Sequence, residues 1–197
     1  MKRLIAAADN EWRSLILFGL YTGQRLGDLA QLTWANVNLQ QDEIRLVTNK
    51  TGRQQIIPLN PTLREHVETL PVGDDPRQPL HTRAFASVEK SGKVGTLSRQ
   101  FYELMVDVGM APPKKHRKNE NSTGRDGLRN MFALSFHSLR HTATSLMKNA
   151  GISPAIVQDI IGHDSEAISA NYTHIDEAAK RNALSAMPNI LEAGSAT

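Results

Sequence analysis

Two short β-rich runs flank a turn in a chain whose other apolar patterns are helical, and this arrangement constrains the fold most. The runs are DEIRLVT (42–48) and RQQIIPL (53–59), and NKTG (49–52) between them has the composition of a hairpin turn. The sequence therefore predicts an α+β fold, mainly α with a small antiparallel β-sheet near the N-terminal third.

Helical patterns occupy much of the remaining chain. Apolar residues recur at helical spacing over the first 20 residues or so, which predicts a helix there. A second short helix is expected after the break at Thr22 and Gly23. Asn60 and Ser153 are each N-cap residues followed by proline, which predicts that a helix starts at each. Residues 71–95 are rich in Pro, Gly and Asp and are expected to form a loop. Further helices are expected over 96–109, 138–150, the stretch after Asp164, and about 174–187.

Length and composition exclude several classes of protein. The 197 residues suit one domain, or at most two small ones, and 40% of them are apolar. No apolar run approaches the roughly 18 residues that span a bilayer, and charged residues interrupt the N-terminal stretch, so we expect neither a membrane segment nor a signal peptide. The chain has no cysteine, which excludes disulfides, thiolate metal sites and a cysteine nucleophile and fits a cytoplasmic location.

The net charge of +3 is unevenly distributed along the chain. Residues 110–130 carry six Lys or Arg against two Asp or Glu, whereas residues 159–177 carry five acidic residues and no Lys or Arg. The basic segment is either a nucleic-acid contact or a solvated loop. Its candidate DNA-binding residues are Lys114, Lys115, Arg117 and Lys118.

The segment FHSLRH places His137, Arg140 and His141 on one face of a predicted helix. Two histidines four residues apart resemble half of a zinc site, but a hydrolytic site usually has a glutamate after the first histidine, and here Ser138 follows. Arg140 would also oppose a divalent cation. The alternatives are two ordinary helix histidines or part of a phosphate site, and the latter needs basic groups from elsewhere.

Other segments supply candidate groups, although each also has an ordinary structural interpretation. Arg25 stands at the start of a predicted helix, and Asp28 follows three residues later. Arginine binds phosphate at two points, and a helix N-terminus favours anions. Lys50 lies at the hairpin tip, where it is either simply exposed or able to reach into a DNA groove. The last two candidates are His163 at a helix end and Tyr172 further on.

The order of these segments resembles the tyrosine recombinase (phage integrase) family. The segments are TGQRLGDLAQLTW, TNKTGRQQIIPL, FHSLRHTATSLMKNAG and IVQDIIGHDSEAISANYTH, and the resemblance spans roughly residues 1–187. The nine residues from His163 to Tyr172 match the family spacing. The resemblance implies the catalytic-domain fold of that family.

The resemblance also implies a role for each candidate residue. Tyr172 would be the nucleophile that forms a 3′-phosphotyrosine bond with DNA, and Arg25 and Arg140 would bind the non-bridging phosphate oxygens. His137 would be a general base or proton carrier, His163 would donate a hydrogen bond to phosphate, and Lys50 would be the general acid. Asp28 and His141 would support these groups. No metal ion, cofactor or ATP is implied.

The family pattern further implies how the protein is organised. Residues 1–187 would be the catalytic domain, without the N-terminal helical domain that usually precedes it, and residues 188–197 a flexible tail. The partners would be double-stranded DNA and other protomers, with a tetramer on DNA and the C-terminal helix able to dock onto a neighbour. The protein would be a cytoplasmic enzyme of a bacterium, phage or mobile element. Type IB topoisomerase-like relaxation, DNA binding without turnover, and a metal-dependent hydrolase remain alternatives.

Overall fold

The computed structural model describes residues 1–113, 134–162, 177–187 and 189. Within them the chain is mostly helical with a small antiparallel sheet, as the sequence predicts. The helices are α1 (Lys2–Ala7), α2 (Asn10–Thr22), α3 (Leu26–Ala30), α4 (Pro61–Glu68), α5 (Thr82–Ser91), α6 (Gly95–Asp107), α7 (His137–Asn149), α8 (Pro154–Ile161) and α9 (Glu177–Ser185).

Helix α2 forms the centre of the core. Its residues from Ser14 to Thr22 are all buried, and it packs against α3, α4 and α7. A single helix over the first 20 residues is therefore a wrong prediction, because the chain breaks between α1 and α2. Asp9 is the N-cap of α2, and its side chain accepts a hydrogen bond of 2.8 Å from the backbone N–H of Trp12.

The sheet has three antiparallel strands in the order β1 (Val37–Asn38), β2 (Glu43–Val47) and β3 (Gln54–Pro58). The predicted hairpin is confirmed, with Val47 opposite Gln54 at the turn and Glu43 opposite Pro58 at its open end. Strand β1 was not predicted, because a strand of two residues is too short to show an alternation of apolar and polar side chains. The inner face of β2 and β3 joins the core through Ile44, Leu46 and Ile57.

The prediction of a loop over residues 71–95 is wrong, because this stretch contains α5. The buried residues of α5 are only Ala84 and Val88, so the helix has a weak apolar pattern in the sequence. The backbone N–H of Ala84 donates a hydrogen bond of 2.7 Å to the Glu11 carboxylate, which holds the start of α5 against α2.

A buried histidine precedes α5 and ties it to the centre of the fold. His81 is 0% exposed; its Nε2 lies 2.9 Å from Ser14 Oγ on α2, and its Nδ1 lies 3.0 Å from the carbonyl oxygen of Leu29 on α3. Burial lowers the pKa of His81 to about 4, so the ring is neutral at physiological pH.

Helix α9 packs on its own domain, against α8 and β3. Ala183, Leu184 and Met187 are buried, and the Asn60 side-chain amide donates a hydrogen bond of 2.6 Å to the carbonyl of Leu184. The predicted helix after Asp164 and, apart from Asn189, the predicted tail 188–197 lie outside the described residues. Among the described residues, no helix is both long and apolar enough to cross a membrane.

Candidate active site

Helix α7 carries three of the predicted site residues on one face. Arg140 is buried, with 2% of its surface exposed, whereas His137 and His141 lie at the surface. The rings of the two histidines pack edge to face, with centroids 5.0 Å apart and an interplanar angle of 86°. His141 therefore supports the His137 ring directly.

The buried guanidinium of Arg140 joins two distant parts of the chain. Its Nη1 donates a hydrogen bond of 2.8 Å to the carbonyl of Gly23, and its Nη2 donates one of 3.2 Å to the carbonyl of Gly162. Gly23 follows α2 with a φ of 64°, and a Cβ on it would lie 2.1 Å from Ile161 Cδ1. The positive φ and the close side chain favour glycine at this turn, which leads directly to Arg25.

Burial first and the positive charge of Arg25 second lower the pKa of Arg140 to about 10, while the charge of Asp28 opposes them. The side chain still carries its charge at neutral pH. The charge is held in a poorly solvated environment, where it acts on a nearby anion more strongly than it would in water.

Arg25 and Asp28 lie at the start of α3, as the sequence predicts. Arg25 is the N-cap residue, and its Nη1 lies 4.0 Å from Asp28 Oδ2. Both of these atoms are buried, and neither has a hydrogen-bond partner among the described residues. A buried guanidinium nitrogen without a partner is uncommon, and it is suited to bind an oxygen of an anionic ligand.

The connection between β2 and β3, residues 48–53, carries Lys50 and is called the hairpin arm below. Lys50 is exposed, and the arm is closed by a hydrogen bond of 2.9 Å from the backbone N–H of Thr48 to the carbonyl of Arg53. The backbone N–H of Asn49 donates a hydrogen bond of 2.9 Å to Asp28 Oδ1. Asp28 therefore joins the arm to α3, whose N-cap is Arg25.

Positive charges from three elements act on His137. Partial desolvation lowers its pKa first, and the charges of His141, Arg140, Arg25 and Lys50 lower it further. These groups come from α7, the start of α3 and the hairpin arm. The arrangement favours the neutral imidazole, which is the form that accepts a proton.

The remaining predicted site residues lie outside the described part of the chain. They are His163, Tyr172, Lys114, Lys115, Arg117 and Lys118. In the described ranges, no group of three or more His, Asp or Glu side chains has a geometry that would hold a metal ion.

Two glutamines of the site were missed in the sequence. Gln24 Nε2 donates a hydrogen bond of 3.0 Å to the carbonyl of Ile160, and Gln55 Nε2 donates one of 3.1 Å to the carbonyl of Asp159. Both side chains are buried and hold the end of α8. Each partner is more than 100 residues away, at separations of 136 and 104, so no local pattern could have revealed them.

The described part of the site thus contains a buried arginine, a second arginine at the start of α3, an exposed lysine and a histidine with a lowered pKa. These are groups suited to bind an anion such as a phosphate. The chain belongs to the phage integrase family, whose family model matches residues 1–179. This match confirms the resemblance seen in the sequence.

Curated relatives agree with this assignment. The chain is 26% identical over 174 residues to tyrosine recombinase XerC of Roseiflexus sp., covering 87% of this chain and 50% of the relative. It is 26% identical over 190 residues to tyrosine recombinase XerA of Pyrococcus horikoshii, covering 93% of this chain and 58% of the relative. The chain spans about half the length of several curated relatives that it matches.

Solved structures show the same fold. The integrase of mycobacterium phage Brujita has a TM-score of 0.62 at 18% identity, covering 95% of this chain and 55% of that one. The catalytic core of lambda integrase has a TM-score of 0.54 at 22% identity, covering 83% of this chain and 89% of that one. The predicted catalytic-domain fold of the family is confirmed.

Proposed function

We propose that this chain is the catalytic domain of a site-specific DNA recombinase that cleaves and rejoins strands through a 3′-phosphotyrosine intermediate. The observation that carries the proposal is that Asp28 joins the Arg25 side chain, 4.0 Å away, to the backbone of Asn49, the neighbour of Lys50. Arg140 donates to the carbonyl of Gly23, two residues before Arg25, and its charge acts on His137. A phosphodiester in attack gains negative charge on its non-bridging oxygens, and cations fixed beforehand stabilise that charge.

In the proposed cleavage step, the phenolic oxygen of Tyr172 attacks the phosphorus and the bond from phosphorus to the 5′-oxygen breaks. His137 accepts the phenolic proton, which the lowered pKa of its imidazole supports. Lys50 donates a proton to the departing 5′-oxygen, and its exposed position on the hairpin arm suits a group that reaches into DNA.

Arg25 and Arg140 bind the non-bridging oxygens in this proposal, and His163 donates a further hydrogen bond. Arg25 Nη1, which has no hydrogen-bond partner in the described part of the chain, supports the assignment of Arg25. The charge that Arg140 holds in the protein interior supports that of Arg140. Asp28 keeps Arg25 and the arm together, and His141 supports the His137 ring. The bond energy stays in the phosphotyrosine, so a free 5′-hydroxyl can reverse the step without metal ion, cofactor or ATP.

We propose that residues 1–187 are the catalytic domain and that residues 188–197 form a tail beyond it. The similarity to a structure described as the lambda integrase catalytic core, of which 89% is covered, supports this division. The protein is proposed to act in the cytoplasm, which the absence of cysteine supports.

Double-stranded DNA and further protomers are the proposed partners. Lambda integrase has been solved as a dimer bound to a core site and as a tetramer bound to a Holliday junction, and both share the fold of this chain. We propose an equivalent tetramer here, with Lys114, Lys115, Arg117 and Lys118 contacting the DNA backbone.

A pool of nicked duplexes of randomised sequence tests this function without a known target site. A nick close to the cleaved bond lets a short fragment diffuse away, so the covalent adduct accumulates. We expect an adduct that resists denaturation, forms in EDTA and disappears in Tyr172→Phe. An adduct that persists in Tyr172→Phe would refute the nucleophile, and loss of the adduct in EDTA would favour a metal-dependent reaction.

A further inference from the structure

The carboxylate of Asp159, on α8, joins two other elements of the domain. Its Oδ1 accepts a hydrogen bond of 2.6 Å from Arg53 Nη2 at the base of the hairpin arm. Its Oδ2 forms an ion pair with Lys180 Nζ on α9. The Asp159 side chain is 11% exposed, against 28% for Arg53 and 19% for Lys180, so water competes little for these contacts.

The backbone beside this carboxylate is held as well. Three side chains from different elements donate hydrogen bonds to carbonyls at the end of α8: Gln55 to Asp159, Gln24 to Ile160 and Arg140 to Gly162. These contacts do not involve the Asp159 carboxylate. The end of α8 is therefore held in place without the Asp159 carboxylate. The carboxylate can in turn position Arg53 and Lys180, the two side chains that contact it.

Each element at this junction leads to a different proposed catalytic residue. Arg53 follows Lys50 by three residues on the same arm, Asp159 precedes His163 by four, and Lys180 follows Tyr172 by eight. The two ion pairs thus connect the arm of the proposed general acid to the helices before and after the segment of the proposed nucleophile. A carboxylate shared by two cations fixes the positions of the elements that carry them, because moving either cation leaves a poorly solvated charge without its partner.

We propose that Asp159 is a positioning residue for strand cleavage, whose Arg53 pair orients the Lys50 arm and whose Lys180 pair anchors the helix that follows Tyr172. The inference rests on the proposed function, since it assigns one ion pair to departure of the 5′-oxygen and the other to attack by the phenol. The Arg53 pair serves proton donation to the 5′-oxygen, and the Lys180 pair serves attack by the phenol. Loss of each pair should therefore affect a different part of the chemistry.

A substrate with sulfur in place of the bridging 5′-oxygen separates these effects, because a thiolate leaves without a proton from a general acid. We expect Arg53→Gln and Asp159→Asn to slow cleavage of the normal substrate by roughly tenfold or more, comparable with other small misplacements of reacting groups. With the sulfur substrate, Arg53→Gln should regain most of the lost rate and Asp159→Asn part of it. Lys180→Gln should be slowed on both substrates by the same factor.

Asp75→Asn is the matched control, because Asp75 also pairs with an arginine, Arg77, but on the exposed surface. It should cleave both substrates at the wild-type rate. Asp159→Glu should recover much of the loss by keeping the charge. If Asp159→Asn does not fold, Arg53→Gln and Lys180→Gln still give the two opposite patterns.

Equal slowing of Arg53→Gln on both substrates would overturn the inference, as would wild-type rates in Asp159→Asn. If the proposed function itself were wrong, the result would be different, because the wild-type protein would then form no adduct with either substrate.

Discussion

Arg140 and Lys50 both act on His137, yet the fold holds them in different ways. Arg140 is 2% exposed and donates hydrogen bonds to carbonyls of two distant segments, so it is part of the core as well as of the site. Lys50 is exposed on an arm that is joined to the site through Asp28 and the Asn49 backbone. The buried region is fixed by contacts inside the core, whereas the arm lies at the surface and is held by a few contacts at its base and at Asn49.

Because of this difference, substitutions in the two regions should affect the free energy of unfolding and the rate of cleavage differently. Changes in the buried region should lower both the free energy of unfolding and the rate of cleavage. Changes in the arm should lower the rate alone.

Arg140→Ala should have the largest effect, lowering the single-turnover cleavage rate by about 10³-fold because a fixed cation at the phosphate is lost. It should also destabilise the fold by about 1–3 kcal/mol for each buried carbonyl left without its donor. Urea unfolding and adduct formation measure the two losses. Arg140→Lys is the control, and it should keep part of the rate without restoring both hydrogen bonds. An unchanged urea midpoint in Arg140→Ala would contradict the account of a buried, structural arginine.

Lys50→Ala should lower cleavage by about 10²-fold or more through the loss of the general acid. Its free energy of unfolding should stay within about 0.5 kcal/mol of wild type, because the side chain is exposed. Urea titration beside single-turnover cleavage gives both quantities. A large loss of stability would mean that the arm belongs to the core.

His81 should make the buried region sensitive to acid. The pKa of His81 is about 4 in the folded protein, below its ordinary value of 6.5, so the unfolded chain binds the proton first as the pH falls. The stabilising contribution is therefore complete above pH 6.5 and is lost progressively towards pH 4, by up to about 3 kcal/mol. Urea unfolding at several pH values measures this loss. His81→Asn should be less stable at pH 7 but should lose less stability on acidification, and parallel curves for the two proteins would exclude His81 as the cause.

Asp28→Ala should affect both regions moderately, since Asp28 connects them. The Asn49 backbone N–H would lose its partner, which costs about 1–2 kcal/mol, and cleavage should fall about tenfold as the arm loses its anchor. Asp28→Asn keeps an oxygen at the same place and serves as the control. If Asp28→Ala lowered the rate without changing the urea midpoint, the contact to Asn49 would not be the reason.

The smallest effect should be that of His141→Gln on the acid limb of the pH–rate profile for cleavage. The lowered pKa of His137 places this limb below the ordinary value of 6.5, because activity is lost when the base is protonated. His141→Gln removes the largest of the charge effects on His137 and should move the limb to higher pH. Single-turnover rates from pH 4.5 to 8 on the sulfur substrate measure it; an unmoved limb would show that the limb is not set by His137.

Local signals predicted the parts of the fold that depend on neighbours in sequence. The hairpin around NKTG and the helices that begin after Asn60 and Ser153 are where their turn and cap residues indicate. The break at Asp9 was readable as an N-cap but was missed within a continuous apolar pattern. Helix α5 was missed because Pro, Gly and Asp surround a helix whose buried face has few apolar residues.

The site was predictable as a set of residue types but not as an assembly. Arg25, Lys50, His137 and Arg140 were identified through their order along the chain, and the structure brings them together. The contacts of Gln24, Gln55 and Asp159 could not be predicted, because each depends on packing between segments far apart in sequence. The same holds for the two carbonyls that bind Arg140.

Cleavage of the sulfur-bridged substrate by Lys50→Ala and Arg140→Lys tests the division between arm and buried region most directly. We expect the sulfur substrate to restore Lys50→Ala to near the wild-type rate and to leave Arg140→Lys as slow as on the normal substrate. Equal slowing of Lys50→Ala on both substrates would contradict it, because Lys50 would then bind DNA without donating the proton.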